Sequence, residues 1–290
     1  MKNILNIEIK KAFRSKTFIF AVFLGLIIAI LQIIWFYFNI YKQNNLLFSQ
    51  INTLDIYDQE YGTWYETGIL EAWLGCEGYS PFNQLYYVLF PLIAALPYGW
   101  SLFTEWKNGY INQMITRISK SRYMISKYIS VFISGGITVT IPLILNFIIN
   151  ACYIPCIGTD AMSLQVILTA KSFGSELYFN KPVLYVLVYL LIDFIIGGIY
   201  ACIALLVTHL FDSPFTVLTF PLLLHCCLLY GIDNLFMDFS PYNFAAFINP
   251  AHTSTNATLE SMCVTIMLLL LFVTGIYYLM NKNKDVIKLR

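Results

Sequence analysis

Residues 18–40 read FIFAVFLGLIIAILQIIWFYFNI, an apolar run without a single charged residue near the start of the chain. An α-helix rises about 1.5 Å per residue, so about 20 such residues cross the roughly 30 Å hydrocarbon layer of a bilayer. Because that layer holds no water, the backbone polar groups must bond within the segment, which favours a helix. We predict that this run is a membrane-spanning helix.

Five further apolar runs follow the first one. They lie at residues 84–103, 129–151, 183–208, 215–231 and 260–280. The chain as a whole is 59% hydrophobic and only 11% charged, whereas a soluble domain carries roughly a quarter charged residues. We therefore predict an all-α integral membrane protein in which residues 1–290 form one transmembrane domain with six transmembrane helices.

Positive charge is concentrated on one side of these runs. Most of the 17 lysine and arginine residues precede the first run, separate the second from the third, or follow the sixth. The only three in the alternate loops are Lys42, Lys171 and Lys181. Because short loops rich in lysine and arginine remain in the cytosol, both termini are predicted to be cytosolic.

The segment before the first run has the pattern of a short amphipathic helix. Leu5, Ile9 and Phe13 recur at helical spacing, while Lys10 and Lys11 lie on the other side. Such a helix is expected to lie flat in the headgroup layer with its basic side toward anionic lipids. A charged flank that only fixes the topology is the alternative interpretation.

The cytosolic loop between the second and third runs has a second amphipathic pattern. Its apolar stripe comprises Tyr110, Ile111, Met114, Ile115 and Ile118, and its polar side comprises Lys107, Gln113, Arg117 and Lys120. One face can rest on the membrane or on the helix bundle, and the other face is left for a cytosolic partner. A purely interfacial helix without a partner is the alternative.

The outer segment between the fifth and sixth runs, residues 232–258, is too apolar for a solvated loop and too broken for a span. It contains Pro241 and Pro250 among several aromatic residues. We predict re-entrant helices that dip into the outer leaflet, because irregular backbone at that depth is tolerated when protein covers it.

Three patterns together resemble the permease subunits of type-2 ABC transporters, which have six spans and a separate ATPase chain. The first is Glu8, Lys11 and Arg14–Ser15–Lys16, which looks like the family's interfacial elbow helix. The second runs from Glu105 through Gly109 to residues 118–123 and Lys127, and is similar to the stretch that meets the ATPase. The third is the apolar outer segment before the last span. Tyr110 stands where the family more often has a small residue.

The resemblance implies an ATP-driven transporter, exporter-like, with this chain as its membrane-spanning subunit. It implies cytoplasmic ABC ATPase subunits as partners, a second permease copy or paralogue, ATP and Mg on the ATPase rather than on this chain, and the plasma membrane of a bacterium. The residues it implies for ATPase coupling are Glu105, Lys107, Gly109, Ile111, Met114, Ile115, Arg117, Ile118, Lys120 and Arg122. Of these, Glu105, Arg117 and Arg122 are expected to contact the ATPase directly.

Two ionisable residues fall inside predicted spans, where charge is costly and a functional role is the default hypothesis. Asp193 and His225 are both expected near the midplane of neighbouring antiparallel helices. They form either a gating or protonation-sensitive pair, a structural hydrogen bond, or no contact at all. Three polar residues, Gln32, Asn146 and Asn150, are expected to bond between helices, and the glycine pairs 135–136 and 197–198 to permit close helix packing.

Other functional classes lack their sequence signals. No G-x-x-x-x-G-K-[ST] loop is present, and the three histidines are predicted at different depths, so we expect no catalytic site, no metal site and no bound cofactor on this chain. Nucleic-acid binding is not expected, because the basic patches face a membrane. Abundant aromatic residues suit an amphipathic cargo such as a peptide, drug or lipid. The alternatives are a gradient-driven carrier or channel, or an intramembrane enzyme that uses Asp193 and His225.

Overall fold

The computed structural model describes residues 2–43, 46, 67–157, 173–235, 241–250 and 257–282, and within these ranges the chain is helical and contains no β-strand. The helices are α1 (Lys2–Arg14), α2 (Lys16–Phe36, extended by a π-helical turn Tyr37–Tyr41), α3 (Ile69–Ala72), α4 (Pro81–Ala95), α5 (Ser101–Lys107), α6 (Tyr110–Ile115), α7 (Lys120–Ala151), α8 (Ser175–Asn180), α9 (Pro182–Val207), α10 (Pro214–Leu235) and α11 (Leu259–Lys282). The all-α prediction is confirmed.

Five helical segments of the described chain are long and apolar enough to cross a membrane. They are Lys16–Tyr41, Lys120–Ala151, Pro182–Val207, Pro214–Gly231 and Leu259–Asn281. The third of these, α9, is the most buried and forms the centre of the bundle, whereas α10 and α11 lie at its periphery. The protein is a multi-pass helical membrane protein.

The second predicted span, residues 84–103, is not one continuous helix. The chain forms α4, then a turn at residues 96–100, and then the short helix α5. At about 1.5 Å per residue, the 15 residues of α4 cover only about 22 Å, less than the hydrocarbon thickness. The helix ends at Ala95, and Pro97, which has no N–H with which to continue the helical ladder, lies in the turn that follows.

The turn that interrupts the second span, residues 96–100, is hydrogen-bonded to the junction between α1 and α2. The Thr17 hydroxyl donates a hydrogen bond of 2.9 Å to the carbonyl oxygen of Pro97. At the same junction, the Ser15 hydroxyl caps α2 by accepting from the backbone N–H of Phe18. The turn at residues 96–100 is therefore fixed next to the end of α1, which brings Tyr98 toward that helix.

The glycine pairs on α7 and α9 allow these two helices to pack in close contact, as predicted. A Cβ atom added to Gly136 would lie 2.5 Å from the backbone oxygen of Phe194, and one added to Gly135 would lie 2.4 Å from the Cβ of Ala201. Both distances are shorter than real contacts allow. Only glycine therefore fits at this crossing. The absence of a side chain allows α7 and the central helix α9 to pack in close contact.

At the end of the bundle opposite α1, residues 67–77 form a buried segment that packs between the helices. Gln32 and Asn150 each donate a side-chain hydrogen bond to the carbonyl oxygen of Ala72, at 3.0 and 2.9 Å. Asn146 accepts from the N–H of Leu74 at 2.9 Å and donates to Gln32 at 2.8 Å. The prediction that Gln32, Asn146 and Asn150 bond between helices is confirmed, and their further partner is this buried segment.

Only part of the predicted re-entrant region lies within the described residues. Residues 241–250 form a succession of turns, not a regular helix, and residues 243–250 are buried. Asn243 donates to the carbonyl oxygen of Leu228, and Asn249 donates to the side chain of Asn83 at 2.9 Å. Residues 243–250 are packed into the bundle as irregular backbone, while residues 236–240 and 251–256 lie outside the described part of the chain.

Replacing Gly136 by Ala tests the packing of α7 on α9. We expect Gly136→Ala to lower the free energy of unfolding by about 1–3 kcal/mol, because the new methyl group meets the Phe194 backbone, which cannot rotate away. Gly275→Ala is the matched control, since a Cβ at Gly275 meets nothing within 4 Å. Thermal unfolding in detergent micelles measures both. Equal melting temperatures for the two variants would refute the close contact.

Candidate functional site: an ion-pair cluster at the basic end

The residues of the predicted ATPase-coupling region form a hairpin, here defined as residues 101–118 and composed of α5, a tight turn and α6. Gly109 makes the turn with φ +68°, in the left-handed region that favours glycine. A Cβ at this position would meet nothing within 4 Å, so the backbone conformation, not lack of space, requires the glycine. The turn reverses the chain after Lys107 and directs α6 back along the bundle.

The predicted two faces of α6 are confirmed, but the helix is shorter than predicted. Ile111 is buried and Met114 packs against the core, while Gln113 and Arg117 are exposed. Instead of continuing to Ile118, the end of the predicted stripe, α6 ends at Ile115, and residues 116–118 form a turn. The chain then becomes extended at Ser119, the N-cap residue of α7.

Two carboxylates and two ammonium groups meet where the hairpin, α1 and α7 come together. Lys127 Nζ of α7 lies 2.7 Å from an oxygen of Glu105 and 3.2 Å from an oxygen of Glu8. Lys11 Nζ of α1 lies 2.9 Å from the other oxygen of Glu8 and 3.9 Å from Glu105. The charges alternate around the group and their sum is zero. We call these four residues the ion-pair cluster, and the end of the bundle that carries it the basic end.

Three tyrosine hydroxyl groups form hydrogen bonds with members of the ion-pair cluster. Tyr98 donates to Glu8 at 2.8 Å, Tyr123 donates to Glu105, and the Tyr110 hydroxyl accepts from Lys11 at 2.8 Å. The ammonium group of Lys127 also lies 4.0 Å from the centre of the Tyr98 ring, which is within the range of a cation–π contact. Tyr110 thus has a specific partner on α1.

The cluster is largely removed from solvent. The side chains of Glu8 and Lys127 are fully buried, whereas Glu105 is 14% and Lys11 35% exposed. Isolated charges at such depth are very costly, and buried charges therefore occur in proteins paired and hydrogen-bonded, as they are here. Removal of one member leaves the charge of its partner buried without an opposite charge. The effects of substitutions at these four positions are therefore expected to depend on one another.

Two members of the cluster outside the membrane spans have shifted pKa values. Burial alone would raise the pKa of Glu8, but the charge of Lys127 and the hydrogen bonds from Lys11 and Tyr98 outweigh it, so this pKa lies below its usual value. Burial alone would lower the pKa of Lys11, but the hydrogen bonds with Tyr110 and Glu8 outweigh it, so this pKa lies above its usual value. Both groups are ionised at neutral pH.

The structure brings together Glu8, Lys11 and Glu105, which the sequence assigned to two separate segments. Lys127 and Tyr98 were not among the predicted site residues. The sequence gives no specific signal for burial of Lys127, because a lysine just before an apolar run ordinarily extends to the membrane surface. Tyr98 gave no such signal, because its position depends on the break in the second span.

The remaining predicted residues at the basic end stay outside the cluster. Arg14, Lys107, Arg117 and Arg122 are exposed to solvent. Glu105, expected to contact an ATPase, instead uses its carboxylate inside this chain, where Lys127 and Tyr123 bind it. The three arginines and Lys107 therefore contribute exposed positive charge to the surface of the basic end.

The expectation that α1 lies flat with its basic side toward lipids is wrong for Lys11. The most buried positions of α1 are Glu8 and Ala12, one helical turn apart, whereas Leu5, Ile9 and Phe13 are only partly buried. The helix docks on α7 through a charged residue, because Lys127 offers Glu8 a stronger partner than the headgroup layer does.

Asp193 and His225 do not form a pair. His225 Nδ1 is hydrogen-bonded to the Tyr200 hydroxyl at 2.7 Å, and its second ring nitrogen faces the backbone of Tyr87 without a hydrogen bond of good geometry. Asp193 is completely buried in α9, and neither of its oxygens has a hydrogen-bond partner among the described residues. Among all the residues that the structure describes, no three His, Cys, Asp or Glu side chains lie close enough together to bind a metal ion.

The seven cysteines, all of which lie in described segments, are free thiols. Cys76 and Cys202 are buried, and Cys152 and Cys156 are exposed. No disulfide bond forms among them in this structure.

The chain matches no protein-family model and no curated protein. The fold and the site together define a multi-pass helical membrane protein whose basic end carries a docked amphipathic helix, an ion-pair cluster and a basic hairpin.

Substitutions in the ion-pair cluster should couple strongly. We expect Lys127→Gln to lower the free energy of unfolding by about 3–5 kcal/mol, because Glu8 and Glu105 then share only Lys11. The double variant Glu8→Gln/Lys127→Gln leaves one charge of each sign and should lose less than the sum of the two single variants. Lys107→Gln, at an exposed position of the same hairpin, is the control. Chemical unfolding in micelles gives these values, and strict additivity would disprove the cluster.

The cluster also predicts how stability depends on pH. Because the folded pKa of Glu8 lies below its unfolded value of about 4.5, its contribution is complete above that pH and is lost as the pH falls through the folded pKa. The difference in melting temperature between the wild type and Glu8→Gln should therefore shrink on acidification from pH 5 toward pH 3. A difference that stays constant over this range would contradict the assignment.

Proposed function

We propose that this chain is the membrane-spanning subunit of an ATP-driven ABC transporter and that its hairpin docks a separate cytosolic ATPase. The observation that carries the proposal is the two-sided construction of the hairpin. Its inner side is fixed to the bundle by the ion-pair cluster, and its outer side presents Lys107 and Arg117 to solvent. Arg122 adds a third exposed cation at the start of α7. A surface that is both basic and rigidly anchored suits the transmission of force from a partner.

The path of that force follows from the contacts. A push on the hairpin is transmitted to α7 through Glu105 and Lys127, which are 2.7 Å apart, and to α1 through Glu8. From α7 it reaches the central helix α9 at the glycine crossing, where Gly136 meets Phe194. The three helices are expected to move as one body, because their contacts are too close to slide independently.

The same helix, α7, reaches the opposite end of the bundle. Lys127 and Asn146 are separated by about 28 Å at helical rise, nearly the thickness of the hydrocarbon layer. Asn146 and Asn150 hold the buried segment at Ala72 and Leu74. A tilt of α7 driven from the basic end would pull on this segment. The buried segment then acts as the outer closure of the transport path, and the transporter has two states that differ in the position of α7.

The other parts of the proposal come from the resemblance. They are pairing of two permease copies or paralogues across a two-fold axis, location in the plasma membrane of a bacterium with both termini in the cytosol, and export of an amphipathic cargo. In this proposal α4, the turn at residues 96–100 and α5 together cross the membrane once. With the five long helices, this gives six crossings. ATP and Mg bind the partner ATPase.

A gradient-driven carrier is the second candidate function, and Asp193 favours it. A completely buried carboxyl group with two unpartnered oxygens is the type of residue that binds a proton or a cation in such carriers. The ion-pair cluster then holds the cytosolic ends of the helices together and docks nothing. An intramembrane enzyme is not favoured, since Asp193 and His225 are not hydrogen-bonded.

Purification of the tagged chain from its native membrane tests the proposal. We expect an ATPase to copurify, and Arg117→Glu/Arg122→Glu to lower the recovered ATP hydrolysis about ten-fold or more by reversing charge at the docking surface. Lys42→Glu/Lys181→Glu, which makes the same change in charge at exposed positions of the other end, is the matched control and should retain full activity.

The rival function makes the opposite prediction in proteoliposomes. A carrier transports under an ion gradient without any ATPase, and Asp193→Asn abolishes that transport. Gradient-driven transport by the purified chain alone, insensitive to the arginine substitutions, would exclude the ABC assignment.

A further inference from the structure

Asp193 lies in the middle of the central helix α9, and its carboxyl group has no counter-charge among the residues that the structure describes. Its side chain is 0% exposed, and neither oxygen accepts a hydrogen bond from this part of the chain. Glu8, which is equally buried, instead binds two lysines and Tyr98. An ionised carboxylate without such partners is very costly away from water, whereas a protonated carboxyl group is neutral.

No positive charge reaches Asp193 from α4 or from the buried segment. Tyr86 and Tyr87 of α4 interact electrostatically with Asp193, and tyrosine is neutral at pH 7. All of α4 lacks acidic and basic side chains. The buried segment contributes the acidic Glu71 and Glu77 and no lysine, arginine or histidine.

The other helices packed on α9 supply no cation at this depth either. Residues 128–151 of α7 contain no acidic or basic side chain. In α11 such side chains occur only in the first and last turns. His225 of α10 is hydrogen-bonded to the Tyr200 hydroxyl at 2.7 Å and makes no hydrogen bond to Asp193. In this conformation the group that can neutralise Asp193 is a proton.

A row of tyrosines leads from Asp193 toward the end of the bundle opposite α1. Tyr185, Tyr189 and Asp193 recur every four residues and therefore share one face of α9. The rings of Tyr185 and Tyr189 are 4.7 Å apart, and the ring of Tyr178, from α8, lies 5.3 Å from that of Tyr185. We call Tyr178, Tyr185 and Tyr189 the tyrosine row. All three are buried, and their hydroxyl groups supply polar atoms on this side of Asp193.

Toward the basic end, α9 is instead in close contact with α7. A Cβ atom added to Gly197 would lie 2.6 Å from the Val139 side chain, and one added to Gly198 would lie 2.6 Å from the ring of Phe132. Both glycines follow Asp193 by about one helical turn, and the contact leaves no space for water between the two helices there. Between α7 and α9, water therefore cannot reach Asp193 from the basic end.

The buried segment covers the far end of the tyrosine row. Cys76 of this segment lies beside Tyr185, close enough for their side chains to interact. The Tyr87 hydroxyl donates to the carbonyl oxygen of Gly75 at 3.2 Å, and the same tyrosine interacts electrostatically with Asp193. A neighbour of Asp193 is thus hydrogen-bonded directly to the segment that covers the tyrosine row.

We propose that Asp193 is a proton-binding site, which is occupied in this conformation and exchanges its proton when the buried segment moves away. Water that enters at this end reaches the carboxyl group along the tyrosine row. The ionised form of Asp193 needs that water, so opening favours release of the proton and closure favours its uptake. By linkage, the bound proton stabilises the closed arrangement of the buried segment, and acidification should favour that arrangement.

This inference goes beyond both functions proposed above, because it assigns a protonation state and a route of access rather than a transport mechanism. In an ATP-driven transporter the proton would regulate opening at the end opposite α1, and in a gradient-driven carrier it would be the transported ion. The tests use the purified chain without an ATPase or an ion gradient. Their failure would therefore leave the ABC assignment untouched, and failure of that assignment would leave the proton site standing.

Infrared spectroscopy of the purified protein at pH 7, in a detergent without ester groups, tests whether Asp193 is protonated. With ¹³C in the carboxyl carbons of aspartate, we expect a carbonyl band of a protonated carboxyl group that shifts with the label and is absent in Asp193→Asn. Asp212→Asn, the same change at an exposed position, is the matched control and should keep the band. A wild type without this band, or a band that Asp193→Asn leaves unchanged, would overturn the proposal. If Asp193→Asn does not fold, the labelled wild type alone still shows or excludes a protonated aspartate.

Exchange of the Asp193 proton for deuterium, followed through the same band, tests the route. We expect Tyr87→Phe to exchange about ten-fold faster than the wild type, because one hydrogen bond that holds the buried segment is lost. Gln32→Met, which removes another hydrogen bond to the same segment, should act in the same direction. Tyr278→Phe, at an exposed position of α11, is the matched control and should exchange as the wild type does.

Two further outcomes of these measurements would count against the site. Wild-type exchange rates in both Tyr87→Phe and Gln32→Met would disprove access through the buried segment. Loss of the band when sodium is added at constant pH would show that a metal cation displaces the proton, and would also overturn the proposal.

Discussion

A buried lysine and a buried glutamate persist away from water only when each neutralises the other, and the basic end of this protein is organised by that constraint. Lys127 is fully buried in α7, and its charge requires Glu8 from α1 and Glu105 from the hairpin. Those two carboxylates in turn bind Lys11 and the neighbouring tyrosines. The helix α1 is thereby held in one arrangement with the turn, the hairpin and α7, which lie about 90 residues or more farther along the chain.

The long helix α7 turns this local arrangement into a property of the whole bundle. Near its start it carries Lys127, in the middle it contacts α9 at the glycine crossing, and near its end Asn146 and Asn150 bind the buried segment at residues 67–77. One continuous helix therefore carries all three contacts, and its internal proline, Pro142, lies between the glycine crossing and Asn146. In the proposed transporter it is therefore the element that links the cytosolic side to the outer closure.

Basic residues that look alike in the sequence occupy different environments at this end. Lys127 is buried and paired, Lys120 is half-buried at the start of α7, and Arg117 and Arg122 face solvent. The charge distribution along the sequence treats these four residues equally, since it reports only the side of the membrane on which they are expected. Their separate roles become visible once the neighbouring helices are in place, because the depth and the partners of each side chain differ.

From the sequence alone, the helical class, five of the spans, the amphipathic face of α6 and the glycine-mediated packing could be predicted, since each depends on local hydrophobicity or on residue size. The sequence also supplied the polar residues Gln32, Asn146 and Asn150 as partners between helices. The break at residues 96–100, the docking of α1 through Glu8 and the separation of Asp193 from His225 were decided by the tertiary structure. Each of these depends on which side chains meet across helices, and the energies that decide this, ion pairing and close packing, act between residues far apart in the chain.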